Sequence, residues 1–269
     1  MRGWMIVLIV SGTALVATVA TWSFSKTRDA TVEITAHRGS SATAPENTIR
    51  AVEQAIADGA DYAEIDVQQT ADGVIVLLHD DDLARVAGVS TNIGEMTYDQ
   101  IKGLDAGSWF SPRFAGERIP TLAEVIETAR SRIRLNIELK SPGRHPGLVE
   151  GVVDLVRREA FQSQCVITSF DHAALATVKT RAPELVTGAI VGGQIDAALN
   201  YQTDFLSLEQ KLVTADLLAA ARRRGLLVHV WTVDDPNDMA RLIDLGVDNI
   251  ITNRPAVLAD LRTSRPRDR

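Results

Sequence analysis

Cysteine is almost absent from this 269-residue chain, and Cys165 is its only example. No disulfide can form within the chain. A lone thiol inside the apolar run CVITSF reads as core rather than as a nucleophile. An excess of positive charge is also missing. The formal net charge of −7 argues against a nucleic-acid backbone as the main partner. No strand-like run is followed by a glycine-rich dinucleotide fingerprint or a P-loop, which weakens an open nucleotide-binding sheet. The composition is globular, 45% hydrophobic and 23% charged, in a length that fits one large domain or two small ones.

Charge is lacking in one place for a different reason. From Trp4 to Phe24, 21 residues pass without an ionisable side chain. About 20 apolar residues cross a bilayer core, whereas the apolar part of a cleaved signal is usually shorter. Only Thr18-Val19-Ala20 offers a weak small-x-small cleavage pattern. The run therefore predicts an uncleaved single-pass anchor within residues 1–30 rather than a cleaved signal. Arg2 on one side and Lys26 with Arg28 on the other balance the flanks, so they do not set the orientation. A cell-membrane location with an extracytoplasmic catalytic domain is the expectation.

From residue 31 the pattern alternates. Short β-branched runs recur at VEITAH, YAEIDV, VIVLLH, RLNIEL, CVITSF, VTGAIV, DFLSLE, LLVHVW and NIITN. Between most of them lie helical patterns such as NTIRAVEQAIADG, TLAEVIETARSR and DPNDMARLIDLG. Strands alternating with helices of this length form βαβ units and a parallel sheet, and so many units suit a TIM-type (β/α)₈ barrel over residues 31–261. Nine strand runs exceed eight. Only a tight Asp72-Gly73 turn separates YAEIDVQQ from VIVLLH, so those two pair as an antiparallel hairpin. An irregular insertion follows, at about 80–120, with the character of a lid or small subdomain. The last residues, 262–269, form a basic tail.

In a parallel barrel, chemistry gathers where the strands end. His37 and Arg38 end the first strand, and Glu64 and Asp66 the second. The hairpin returns His79 to the neighbourhood of Asp66, and Glu138 with Lys140 end RLNIELK. Spacing of i, i+2 sends Glu64 and Asp66 to one face, and likewise Asn136, Glu138 and Lys140. Three carboxylates packed together need a compensating cation. All-oxygen ligation points to one Mg²⁺ or Ca²⁺ rather than zinc. Arg38 and Lys140 are then free to hold an anion, most plausibly a phosphate. Each residue also has a bland reading: barrel-end ion pair for Glu64 and Glu138, buried carboxylate partner for His79, loop charge for Lys140. Asn47 reads as the N-cap of the first helix. His145 and His172 read as loop and cap residues.

The strings TAHRG, PENT, EIDV with ADG, LLHD, LDAGSWF, IPTLAEV, NIELK, VWTVD and NIITNRP, in that order, resemble the glycerophosphodiester phosphodiesterase family. The likeness covers nearly the whole soluble part and is closest to bacterial membrane-anchored members. It implies a barrel of phospholipase-C-like type that splits a small glycerophosphodiester into glycerol 3-phosphate and an alcohol. It implies that Glu64, Asp66 and Glu138 hold the divalent ion, that Arg38 and Lys140 grip the phosphate, and that His37 and His79 share acid and base roles. The attacking group is water or the substrate's own glycerol hydroxyl, and the sequence does not assign which histidine does which. Trp231, on one strand face with His229, is expected as an apolar wall of the glycerol pocket. Trp109 and Phe110 either face the substrate or pin the insertion to the barrel. Rival readings are a lysophospholipid or teichoic-acid-like polymer as substrate, and a tethered glycerophosphate-binding module without turnover.

Overall fold

A computed structural model describes residues 31–140, 145–193, 195 and 197–264. The run Trp4–Phe24 lies outside these. Among the described residues, no helix is long and apolar enough to cross a membrane.

The chain opens with β1 (Glu33–Ala36), α1 (Ile49–Ala57), β2 (Tyr62–Gln69) and β3 (Ile75–Leu77). A small excursion follows, of β4 (Asp82–Leu83), α2 (Ala84–Ala87), β5 (Val89–Asn92) and α3 (Tyr98–Ile101). The rhythm resumes with α4 (Leu122–Ala129), β6 (Arg134–Leu139), α5 (Leu148–Arg158), β7 (Cys165–Ser169), α6 (His172–Arg181) and β8 (Val186–Val191). It closes with β9 (Phe205–Glu209), α7 (Ala215–Arg223), β10 (Leu227–Trp231), α8 (Pro236–Leu245), β11 (Asn249–Thr252) and α9 (Pro255–Ser264). Eight of these strands pair in parallel as β1-β2-β6-β7-β8-β9-β10-β11, and β11 returns to β1 to close a barrel. The surplus run, VIVLLH, gives β3, which pairs antiparallel with the end of β2, Val67 opposite Leu77. Gly73 makes the turn at φ 85°, where its missing Cβ removes the strain.

The strands alternate in an unusual sense. Ile34, Ala36, Ile65, Val67, Ile137, Leu139, Ile167, Leu206, Leu208, Val228 and Val230 are buried in the main apolar cluster, among the surrounding helices. The opposite parity carries Glu64, Asp66, Asn136, Glu138, Thr168, Ser207, His229 and Asn249, also buried. The hydrophobic core thus lies between sheet and helices, and the barrel's interior is polar. An apolar floor of Tyr62, Val166 and Phe205 seals it below, with Val186 and Leu227 packed against them. Phe205 fits because Gly188 lacks a side chain; a Cβ there would lie 2.1 Å from the Phe205 ring.

The excursion has its own small core of Val76, Leu78, Leu83, Val86, Ile93, Ile101, Ala106 and Ile119. Two of these, Val76 and Leu78, sit on the hairpin arm that follows the turn, so the insertion is fused to the barrel through its own core. Arg262, assigned to the tail by sequence, belongs to α9 and pairs with Asp61. Cys165 is buried core, its thiol pushed up to about 12 by burial.

His229 stacks on Phe205 at 4.0 Å between ring centroids. Burial and the Arg134 guanidinium push its pKa from 6.5 down to about 3. The unfolded chain takes up this proton near the ordinary value and the folded chain does not, so acid favours unfolding. His229→Leu should therefore gain stability relative to the wild type as pH falls, by about 1 kcal/mol between pH 6.5 and 5.5. Urea unfolding of both proteins at pH 6.5 and 5.5 measures it. An unchanged difference between the two pH values would mean that His229 is protonated in the fold.

Candidate active site

The chain leaves β1 through a left-handed corner, Arg38 at φ 52° and Gly39 at φ 79°. A Cβ at Gly39 would lie 2.5 Å from that of Ala51, so only glycine lets the corner press against α1. Arg38 has no such freedom, and its conformation is held by bonds. Its N–H donates to Glu64 Oε2 at 2.7 Å, and its carbonyl accepts from Asn47 N at 3.0 Å. Backbone strain clamped in this way is characteristic of functional sites.

Asn47 is not the helix cap. Thr48 caps α1, accepting from Ala51 N. Asn47, itself at φ 56°, turns its amide onto Asp66: Nδ2 donates to Oδ2 at 2.8 Å, and Oδ1 accepts from Asp66 N at 3.0 Å. The string PENT reads equally well as a cap, and only the fold shows that β2 runs alongside it.

One cavity of about 180 Å³ at the C-terminal ends of the strands is lined by all eight residues predicted for the site: His37, Arg38, Glu64, Asp66, His79, Glu138, Lys140 and Trp231. Oxygens of Glu64, Asp66 and Glu138 come within 4.8 Å of one another, all three residues buried. Lys140 Nζ donates to Glu138 Oε1 at 2.9 Å and lies 3.6 Å from Asp66 Oδ1. Arg38 Nε lies 3.5 Å from Asp66 Oδ2, and it is buried without a hydrogen-bond partner. Burial, then Asp66, drives the Glu64 carboxyl well above its ordinary range, and Glu138 shifts the same way for the same two reasons. Asp66 moves down despite its burial, because Lys140 and Arg38 flank it.

The two histidines are wired differently. His37 Nδ1 lies 2.7 Å from Asn253 Oδ1. The Asn253 amide nitrogen is committed to Asp234 Oδ2 at 2.6 Å, so its oxygen must face His37. The His37 proton therefore sits on Nδ1, and Nε2 presents a lone pair 4.0 Å from Glu64. Burial, then Arg38, lowers the His37 pKa and keeps the ring neutral. His79 Nδ1 instead meets a carboxylate, Asp80 Oδ1, at 2.8 Å.

Trp231 is held by its indole N–H on Ser207 O at 2.9 Å and meets Phe170 edge-on at 5.8 Å. Phe170 lines the cavity while 52% exposed, which makes it a rim residue that the strand pattern did not single out. Trp109 and Phe110 do not line the cavity. Trp109 donates to Ala106 O inside the insertion and packs edge-on against Phe110, so these rings hold the insertion. His145 bonds Gln68, and His172 packs on Tyr201, both away from the cavity.

The sequence model of the glycerophosphoryl diester phosphodiesterase family matches residues 37–257, from the first of these histidines to α9. The chain belongs to this family. A glycerophosphodiester phosphodiesterase of Caldanaerobacter subterraneus subsp. tengcongensis is 38% identical over 234 residues, 85% of this chain and 96% of that one. One from Bacillus subtilis is 33% identical over 242 residues, 82% and 83% of the two chains. A phosphodiesterase from Oleispira antarctica, solved with the product sn-glycerol-3-phosphate, superposes with a TM-score of 0.82. It is 29% identical, and the match covers 87% of this chain and 98% of that one. Like its relatives in the glycerophosphodiester phosphodiesterase family, the chain is an enzyme.

The carboxylate trio fits a divalent cation by its donors. Glu64 Oε1 is buried with no partner among the described residues, while its other oxygen and one of Asp66 are held by Arg38 N and Asn47. Three carboxylates against Arg38 and Lys140 leave a formal −1. A divalent ion raises this to +1, which a single phosphodiester anion cancels. Thermal denaturation checks the fit: saturating Mg²⁺ or Ca²⁺ should raise Tm, by about 2.7 kcal/mol of stability at 100-fold excess over Kd. The rise should vanish in Glu138→Gln. An equal rise in that variant would place the ion elsewhere.

Proposed function

We propose that this enzyme hydrolyses glycerophosphodiesters to glycerol 3-phosphate and an alcohol, with His37 as general base and His79 as general acid. The observation that carries the assignment is the unequal wiring of the two rings. His37, fed by the neutral Asn253 amide oxygen, offers a free Nε2 lone pair. His79, its Nδ1 held by the Asp80 carboxylate, keeps Nε2 for passing a proton to the departing alkoxide.

The phosphodiester enters as an anion. Arg38, whose Nε has no hydrogen-bond acceptor among the described residues, and Lys140 draw it in and hold its non-bridging oxygens. Held by Glu64, Asp66 and Glu138, one Mg²⁺ or Ca²⁺ would offset the charge that grows on those oxygens during transfer. Trp231 and Phe170 supply the apolar wall against the carbon skeleton. His37 takes the proton of the attacking hydroxyl, whether from water or from the substrate's own glycerol. A binding module without turnover would have no use for two histidines with opposite wiring.

The location follows the sequence reading. Trp4–Phe24 would anchor the enzyme in the cell membrane with the barrel outside the cytoplasm. β1 begins at the face of the barrel opposite the mouth, which supports a small released diester rather than an intact membrane lipid as substrate. Fractionation and protease treatment of intact cells test the placement: membrane recovery and degradation of the barrel are expected, and protection until permeabilisation would put it in the cytoplasm.

Glycerophosphocholine turnover should fall about 10²–10⁴-fold in either His37→Ala or His79→Ala, the usual worth of a positioned acid or base. A diester with an acidic leaving group such as p-nitrophenol needs no protonation on departure. It should restore turnover in His79→Ala and leave His37→Ala slow. Rescue of the other variant would exchange the two roles.

A further inference from the structure

Arg85 lies on α2, in the insertion, and does not line the cavity. Its guanidinium nevertheless touches two carboxylates at once. Nη1 and Nη2 donate to Glu46 Oε2 and Oε1, both at 2.8 Å, and Nε donates to Asp80 Oδ2 at 2.7 Å. Each carboxylate also meets a residue that lines the cavity. Glu46 Oε1 also accepts from Arg38 Nη1 at 2.9 Å, and Asp80 Oδ1 holds His79 Nδ1 at 2.8 Å. The result is an unbroken chain, Arg38–Glu46–Arg85–Asp80–His79, in which every link is 2.9 Å or shorter. Arg85 bridges its two halves.

We infer that Arg85 is a positioning residue, through which the docking of the insertion sets the orientation of His79 and of Arg38 together. This rests on the roles proposed above for those two residues. A purely stabilising role fits the geometry poorly. The Arg85 side chain is 39% exposed, and ion pairs at that exposure contribute little to stability. What it supplies is direction. A guanidinium fork fixes two carboxylates in one plane, and the point charge of lysine cannot. The Trp109 ring, 5.4 Å from the Arg85 guanidinium carbon, limits the fork on another side.

The test compares Arg85→Ala with wild type for kcat, KM and Tm, using glycerophosphocholine. A misplacement of about 1 Å costs on the order of 10²-fold in rate, so kcat should fall about ten- to a hundredfold with Tm little changed. Asp80→Asn should reproduce the loss in kcat, and Glu46→Gln should mainly raise KM. Combined with Asp80→Asn, Arg85→Ala should add much less to the kcat loss than it costs alone, since both break one chain. Millimolar guanidinium should restore part of the turnover in Arg85→Ala, which a merely structural arginine would not allow. If Arg85→Ala does not fold, Arg85→Lys keeps the charge and the stem, and the same losses are expected from it. Wild-type kcat and KM in a folded Arg85 variant, or fully additive losses with Asp80→Asn, would overturn the inference. Unimpaired turnover in His79→Ala would instead overturn the acid role on which it rests, so the two failures are distinguishable.

Discussion

Burying three carboxylates within reach of one another is the constraint to which the rest of this site answers. Glu64, Asp66 and Glu138 line one cavity while almost wholly buried, with oxygens within 4.8 Å of one another. Left alone, such a group would take up protons, as the upward drift of Glu64 and Glu138 indicates. Arg38 and Lys140 offset part of the charge, while Asn47 and the Arg38 N–H pin individual oxygens in place. The two left-handed residues, Arg38 and Asn47, are the backbone cost of bringing those donors in. Glu64 Oε1, fully buried, is still without a partner among the described residues. That residue of unmet charge is what a divalent ion and a phosphate anion can complete together.

The barrel makes such a burial possible by reversing the usual distribution. A strand with apolar residues on both faces would fill the interior with branched side chains and leave no cavity. Here one parity of β2 and β6 is Ile65, Val67, Ile137 and Leu139, buried under the helices, and the other is Glu64, Asp66, Asn136 and Glu138. The outer parity supplies the hydrophobic driving force and the inner parity is released for chemistry. The floor of Tyr62, Val166 and Phe205 keeps the polar interior open at one end only.

That two-fold periodicity is why so much was readable from sequence. All nine strand runs, the hairpin with its Asp72-Gly73 turn, and the convergence of His37, Arg38, Glu64, Asp66, His79, Glu138 and Lys140 follow from spacing and strand ends, whereas Trp231 rests on the family resemblance. The misses share a different cause. Asn47 was assigned to a cap because its partner Asp66 is set by a neighbouring strand, not by its own helix. Asn253, oriented by Asp234 and so fixing the His37 tautomer, meets that histidine across the closure of the barrel, 216 positions away. Phe170 sits one residue past β7, at the point where a strand pattern stops carrying information. Arg262 looked like tail because its partner Asp61 is 201 positions away.

The insertion shows the same limit at larger scale. Without barrel rhythm, it could be recognised in the sequence only as an excursion of functional or packing character. Its apolar cluster includes Val76 and Leu78 of the hairpin arm, so it cannot move without disturbing the strand that precedes His79. Glu46, from the loop before α1, and Asp80, from the end of the hairpin, are brought to one guanidinium by that packing. An irregular segment fastened by its own core to a catalytic strand is a rigid extension of the site. On the roles proposed above, the spacing between Arg38 on one loop and His79 on another is set by a third piece of chain, which needs no contact with the substrate to matter for the reaction.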